Sequence, residues 1–281
     1  MQARTRRRHR FITHLLAHIA LFSLGILFLL PFVWMLSTSL KSDAEIFTRV
    51  PVWIPKRLIW SNYAMAFSYV PFALYFANTL IICAFAVLGT ILSCPLVAYS
   101  FSRISWPGRD FFFIVMLSTL MLPYHVTLIP IFIVFRNLGW INTFKPLTVP
   151  YFFGSPFYIF LVRQFFLTIP RELSDAAKID GCSELGIYSR IILPLSKPIL
   201  ATISLFTFVG QWQDFLGPLI FLNDAQKYTL AIGLYAFRTQ HGAEWAAMMA
   251  AATVMVMPMI IVFFFTQRTF IQAITLTGLK E

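Results

Sequence analysis

The run Ile169–Pro198, IPRELSDAAKIDGCSELGIYSRIILPLSKP, is the long polar interval in the second half of a chain that is otherwise mostly apolar. Pro170 is preorganised for a first helical turn, and Glu172 and Asp175 set negative charge near the positive end of that helix. Lys178 lies near its other end, as the helix dipole favours. Leu173, Ala176, Ala177 and Asp180 share a face at helical spacing, and the two alanines keep that face flat enough for another backbone to approach. Gly181 supplies a residue able to take a left-handed conformation and end the helix. Ser183 can cap a second helix running to about Leu193, before Pro194 and Pro198 stop it and start the next segment. The apolar stretches on either side, about 146–169 and 199–222, each approach the length needed to cross a bilayer. A polar loop built in this way between two spans reads as a docking element. A plain surface helix pair with a solvated charged face is the competing reading.

Composition supports the membrane setting. Of 281 residues, 59% are hydrophobic and only 12% are charged, against about 25% charged in an ordinary soluble domain. A bilayer removes that much apolar surface from water without requiring a protein core. The net charge of +11 sits in short loops rather than in a patch interleaved with aromatics, so it argues for membrane topology and against nucleic acid. Cys83, Cys94 and Cys182 form no even framework and no C-x-x-C, which points away from disulfide or metal roles.

The fold class expected is all-α, a polytopic membrane protein with six transmembrane helices. The first helix follows the Arg4–Arg10 basic cluster and runs from Phe11 to about Leu36, too long for the apolar core of a signal peptide. His14 and His18 stand one turn apart on it and read as interfacial side chains, since two histidines alone make an incomplete metal site. Residues 37–73 read as an external loop with Trp53, Trp60 and Tyr63 at headgroup level. Residues 74–268 hold five further helices, at about 74–99, 111–135, 146–169, 199–222 and 245–266, and residues 269–281 a cytoplasmic tail. With both termini inside, fourteen of the 22 Lys and Arg fall on the cytoplasmic side, as the positive-inside rule requires. Pro123, Pro130, Gly154, Pro156, Gly217–Pro218 and Pro258 lie within spans. They mark either plain kinks or broken helices lining a solute path.

The run Asp175-Ala176-Ala177-Lys178-Ile179-Asp180-Gly181, followed by Ile192-Leu193-Pro194-Leu195, resembles the EAA loop of importer-type ABC transporter permeases. That loop reads Glu-Ala-Ala, two residues, Asp-Gly, then about ten residues to a Leu-Pro. Asp175 departs from the usual Glu, keeping the charge with one methylene less reach. Gln211-Trp212-Gln213-Asp214-Phe215-Leu216-Gly217-Pro218-Leu219, Tyr228-Thr229-Leu230 and the ending Gln267-Arg268 through Thr277-Gly278-Leu279-Lys280 are similar to the carbohydrate-uptake branch, in particular to its maltose-type second permease subunit. The resemblance covers about residues 74–281. It implies a second permease subunit, a pair of ATP-binding subunits and an extracytoplasmic solute-binding protein, in a bacterial or archaeal-type cell membrane. The implied solute is a sugar or a related polyol or glycerol phosphate. The implied docking residues for the ATPase are Glu172, Asp175, Ala176, Ala177, Asp180, Gly181, Leu193 and Pro194. No cofactor is expected on this chain: ATP and Mg belong to the partner ATPase, and no G-x-x-x-x-G-K-[ST] phosphate cradle occurs here. The chain is therefore not expected to be an enzyme.

Inside the membrane, Gln211, Trp212, Gln213 and Asp214 group hydrogen-bonding atoms with a stacking face suited to a sugar. An intramembrane carboxylate is a functional candidate by default. The alternative for Asp214 is an inter-subunit or helix–helix hydrogen bond, and for His125 pathway lining and an internal bond stand equally. Arg163 is expected to snorkel to the headgroups, and Asn78 can hydrogen-bond between helices. An ion-gradient secondary transporter is the runner-up. It would call for paired acids and repeated halves, whereas Asp214 is a lone acid and no repeat is visible. An intramembrane hydrolase lacks its Ser/His pair or its H-E-x-x-H.

Overall fold

Backbone inside a bilayer must satisfy its own hydrogen bonds, and here that is done with helices. In the computed structural model, the backbone is described for residues 2–237 and 244–278 and side chains for 13–237 and 244–267; no strand forms among them. The chain divides into two compact units, Met1–Val70 with Ala236–Val256, and Pro71–Tyr235 with Met257–Glu281.

In the first unit, helix α1 (Gln2–Ser39) carries Leu21, Phe22 and Phe28 largely exposed along its apolar length. A helix apolar all round with no protein against it is a lipid-facing span. The side chains of the Arg4–Arg10 cluster lie outside the described residues. His18 Nδ1 donates to the His14 carbonyl at 2.7 Å, a local helix contact. The expected external loop is more ordered than a loop. Lys41 is fully buried, its ammonium 3.8 Å over the Trp34 ring, and burial pushes its pKa down. Asn62, on α2 (Ser61–Tyr69), donates to the carbonyls of Ser39 and Lys41 at 3.0 and 2.9 Å. These bonds satisfy carbonyls left over at the end of α1.

In the second unit, α3 (Phe72–Arg103) is the long span, with Pro95 inside it. It is followed by α4 (Arg109–Ser118) and α5 (Tyr124–Asn137). The span expected at 111–135, with Pro123 read as a kink or a break, is bent by 100°. Leu122, extended at φ −77° and ψ 116°, shows the cause: the residue before a proline is excluded from the helical region. The next segment runs Lys145–Thr148, then a 3-10 stretch Val149–Phe153, then α6 (Pro156–Thr168). Gly154 at φ +88° joins the last two, a conformation glycine takes without steric cost. Then come α7 (Glu172–Ile179), α8 (Glu184–Leu195), α9 (Lys197–Trp212) and α10 (Leu216–Phe221). The fifth span therefore breaks at 213–215. Gly217 and Pro218 lie just beyond the break, in the first turn of α10, where proline's missing N–H has no bond to lose. Pro130 and Pro258 stay inside helices.

After α11 (Leu230–Ala236), α12 runs Trp245–Gly278, so the expected tail continues as helix to residue 278. Residues 279–281 and the side chains of 268–278 lie outside the described residues. Among the described residues, three helices are long and apolar enough to cross a membrane, and counting each bent pair as one span raises the number to six.

α3 carries the polar atoms that hold the irregular stretches of this unit. Ser93 Oγ donates to the Tyr151 carbonyl at 2.9 Å, and Cys94 Sγ accepts from the Ser155 N–H at 3.4 Å. Asn78 Nδ2 donates to the carbonyls of Gln226 and Tyr228 at 2.8 and 3.0 Å, and Thr79 Oγ1 accepts from the Leu230 N–H at 3.0 Å. Arg103 donates to the carbonyls of Phe166 and Ile169 at the end of α6. Arg163 does not snorkel: its Nε donates to the Phe101 carbonyl at 3.1 Å and its guanidinium lies 4.1 Å from the Phe113 ring centre. The 3-10 stretch reaches α3 so closely that a Cβ on Gly89 would stand 2.9 Å from the Tyr151 carbonyl carbon. Gly89→Ala should therefore destabilise the purified protein by about 1–3 kcal/mol, seen as a lowered midpoint of thermal unfolding in detergent. An unchanged midpoint would mean the backbone there yields freely.

Candidate functional sites: the polar loop and the intramembrane cavity

The polar loop is built largely as its residues dictate. Gly181 sits at φ +79°, the Cys182 N–H donates to the Ala177 carbonyl at 2.9 Å, and the Gly181 N–H to Lys178 at 3.0 Å. This is the Schellman pair that closes a helix C-terminus. Ser183 Oγ accepts from the Gly186 N–H at 3.2 Å and caps α8. α8 then runs through Pro194 to Leu195, beyond the expected stop, because Tyr188–Ile192 takes a π-helical turn. The wider turn fits a proline that has no N–H for the regular ladder. The sharp change of direction, 76°, comes between α8 and α9, around Ser196, whose side chain is buried.

The face presented differs from the expected one. Ala177 turns inward with Ser174 and joins the core formed with Phe166, Ile187 and Ile192. Glu172, Leu173, Asp175, Ala176, Asp180 and Gly181 remain outward, and Pro194 is exposed while Leu193 is half-buried. Two large apolar side chains that spacing did not single out are the most open of the loop, Ile179 at 87% and Leu185 at 68%. Their place just before and after the Gly181 turn was the available signal.

Glu184, also not singled out, joins three helices: Tyr99 Oη of α3 donates to its Oε2 at 2.7 Å, and Lys178 Nζ of α7 lies 2.6 Å from its Oε1. The bonds from Lys178 and then Tyr99 hold the Glu184 carboxyl below the usual glutamate range. A depressed carboxyl contributes stability above its unfolded pKa and loses it as pH falls through the folded value. The contact thus stays intact at neutral pH and is lost only below the ordinary glutamate range.

Within the membrane region of the same unit is a cavity of about 510 Å³ lined by residues including Tyr124, Phe135, Tyr151, Gln211, Asp214 and Phe221. Gln211 Nε2 donates to the Tyr151 hydroxyl. Gln211 Oε1 is buried with no hydrogen-bond partner. Asp214 Oδ1 accepts from the Gly217 N–H at 3.1 Å, so the carboxylate caps α10 where the span breaks. Asp214 thus lies on the cavity wall, and the bond it makes is a local one three residues along rather than one between helices.

The other three candidates are not on the cavity wall. Trp212 is fully buried, stacked on Phe208 at 5.3 Å and edge-on to Phe76 at 5.6 Å; its ring faces are taken up by packing. Gln213 points away from the cavity, exposed, toward Met259 Sδ at 3.5 Å. His125 is exposed, its ring edge-on to Tyr124 at 6.1 Å. Tyr151 and Tyr124 were missed, although Pro123 and Gly154, the breakers beside them, were visible. No cluster of three or more His, Cys, Asp or Glu suited to a metal occurs among the described residues.

Residues 85–276 match the family described as "Binding-protein-dependent transport system inner membrane component". The chain is 33% identical over 98% of its length to the probable ABC transporter permease protein YurM of Bacillus subtilis, covering 91% of that protein. It is 31% identical to the arabinooligosaccharides transport system permease protein AraQ of the same organism, over 92% of each chain. It is 30% identical to the trehalose/maltose transport system permease protein MalG of Thermococcus litoralis, over 97% of this chain and 99% of that one. A chain in the crystal structure of a bacterial ABC transporter involved in the import of the acidic polysaccharide alginate superposes with a TM-score of 0.78. It is 25% identical, over 92% of this chain and 96% of that one. The match spans α3 through most of α12, both the polar loop and the cavity included, and the chain belongs to the binding-protein-dependent transport system inner membrane components, as a permease subunit and not an enzyme.

Proposed function

We propose that this chain imports a sugar, an oligosaccharide or a related polyol or glycerol phosphate. In this reading it works as one of two permease subunits, with an ATP-binding pair on the cytoplasmic side and a solute-binding protein outside. ATP and Mg act on the ATP-binding subunits, and the polar loop carries their closure into the membrane. Both termini lie inside, a placement supported by the distribution of Lys and Arg.

The observation that carries the coupling reading is the Gly181 turn. It presents Ile179, 87% exposed, beside the acidic Asp175 and Asp180 on a loop otherwise anchored to the core. An exposed apolar side chain of that size at the tip of a rigid turn suits a partner's cleft. The sugar reading is supported by relatives named for oligosaccharide transport. It is supported also by a cavity that offers aromatic walls with acceptors at Gln211 and Asp214. ATP and the solute then bias one two-state element, the orientation of the core helices. The ion-coupled carrier has only the lone Asp214 in its favour.

A Cβ at Gly181 would meet nothing within 4 Å of this chain, and asparagine tolerates a left-handed backbone. Gly181→Asn should thus keep the turn and insert normally, yet cut ATP-dependent uptake by about tenfold or more in vesicles of the assembled transporter, because its side chain overpacks the face read as entering the partner's cleft. Uptake at the parent rate would sink the docking role. In the cavity, Asp214→Asn keeps an oxygen to cap α10 while removing the charge. It should raise the half-saturating solute concentration severalfold and leave ATP-dependence intact. Solute uptake that persists without ATP and follows an ion gradient would establish the carrier instead.

A further inference from the structure

We propose that Glu184 is a positioning residue that clips the polar loop, at the start of α8, to the membrane helix α3, so that motion of the loop enters the bundle directly through α3 as well as through the spans to which the loop is covalently joined. The proposal rests on the coupling role of the loop argued above.

The covalent route from the loop runs into α6 on one side and, through α8, into α9 on the other, and both of those helices pack along α3. Side chains add two direct ties between α3 and the loop. Tyr99, one turn before the end of α3, is almost fully buried, with its ring 5.3 Å from that of Tyr188 on α8. Its hydroxyl donates to Glu184 Oε2 at 2.7 Å, while Lys178 on α7 takes Oε1 at 2.6 Å. Each oxygen of one carboxylate therefore holds a different helix. Arg103, one turn further along α3, donates to the carbonyls of Phe166 and Ile169, the backbone that leads into α7. The loop is thus tied to α3 at Ile169, ahead of α7, and at Glu184, at the start of α8.

The two halves of the clip are unequal. Lys178 and Glu184 are 50% and 45% exposed in their side chains, and ion pairs that open to water contribute little. The Tyr99 bond is partly shielded and charge-assisted, the stronger kind. Lys178 therefore orients the carboxylate, and Tyr99 carries most of the connection.

The test uses the complete transporter, with its partner subunits and binding protein, in proteoliposomes. It reads solute moved per ATP hydrolysed in Tyr99→Phe, Glu184→Met, the double variant and Lys178→Met. Tyr99→Phe and Glu184→Met should each lower that ratio by about tenfold, a fold-change typical of a lost charge-assisted bond, with basal ATPase and co-purification of the subunits unchanged. Lys178→Met should lower it by less than about threefold. The double variant should be no worse than either single, because both remove one bond. A ratio within twofold of the parent in both singles overturns the proposal. So do losses that multiply in the double variant, or a failure of either single to co-purify with its ATPase, which would make the bond a folding contact. If Gly181→Asn transports normally while these variants uncouple, the docking reading fails and the clip stands. The converse pattern removes the clip alone.

Discussion

An apolar solvent leaves no water for a stray N–H or C=O, so every break in a spanning helix has to be answered by another part of the protein. In the second unit that answer comes repeatedly from α3. Asn78 and Thr79 hold the stretch before α11, Ser93 and Cys94 hold the broken stretch before α6, and Arg103 holds its end. α3 is thereby a ladder of short polar side chains set in an apolar helix. The bends at residues 122–123, 154–155 and 213–215 shape the wall of a cavity. Two of the three are bounded by residues on that wall, Tyr124 in one case and Gly154, Ser155 and Pro156 in another, while Asp214 lies within the third.

Near the cavity, polar groups are few and partly unspent: Gln211 keeps a buried acceptor free, and Asp214 divides its carboxylate between an α10 cap and the cavity. Around the loop, the Schellman turn, the Ser183 cap and the Glu184 contact hold the shape, while the Ser174 hydroxyl and two Arg103 nitrogens are buried without hydrogen-bond partners.

Much of this was legible beforehand. Gly181 and Ser183 act within four or five residues of themselves, through a preferred φ value and a short-range cap, and the structure uses each as its chemistry dictates, whereas Pro170 lies ahead of the Arg171 cap and outside α7. Asn78 was read as a hydrogen-bonding residue, and it bonds a loop 148 residues away instead of a helix. Trp212 and Arg163 were misplaced for a shared reason. A large aromatic or a cation in a span has both a lipid-facing and an inward solution. The choice depends on whether Phe76 and Phe208, or Phe101 and Phe113, stand opposite.

Transfer of apolar side chains out of water is nearly additive along the chain, and turn preferences are local, so the amino-acid order alone determined the membrane class, the segmentation and the Gly181 turn. Which face of α7 looks outward, and the pairing of Gln211 with Tyr151 and Tyr99 with Glu184, were decided only by tertiary packing. Those partners lie 60 and 85 residues apart, and no local preference reports which helix will be the neighbour.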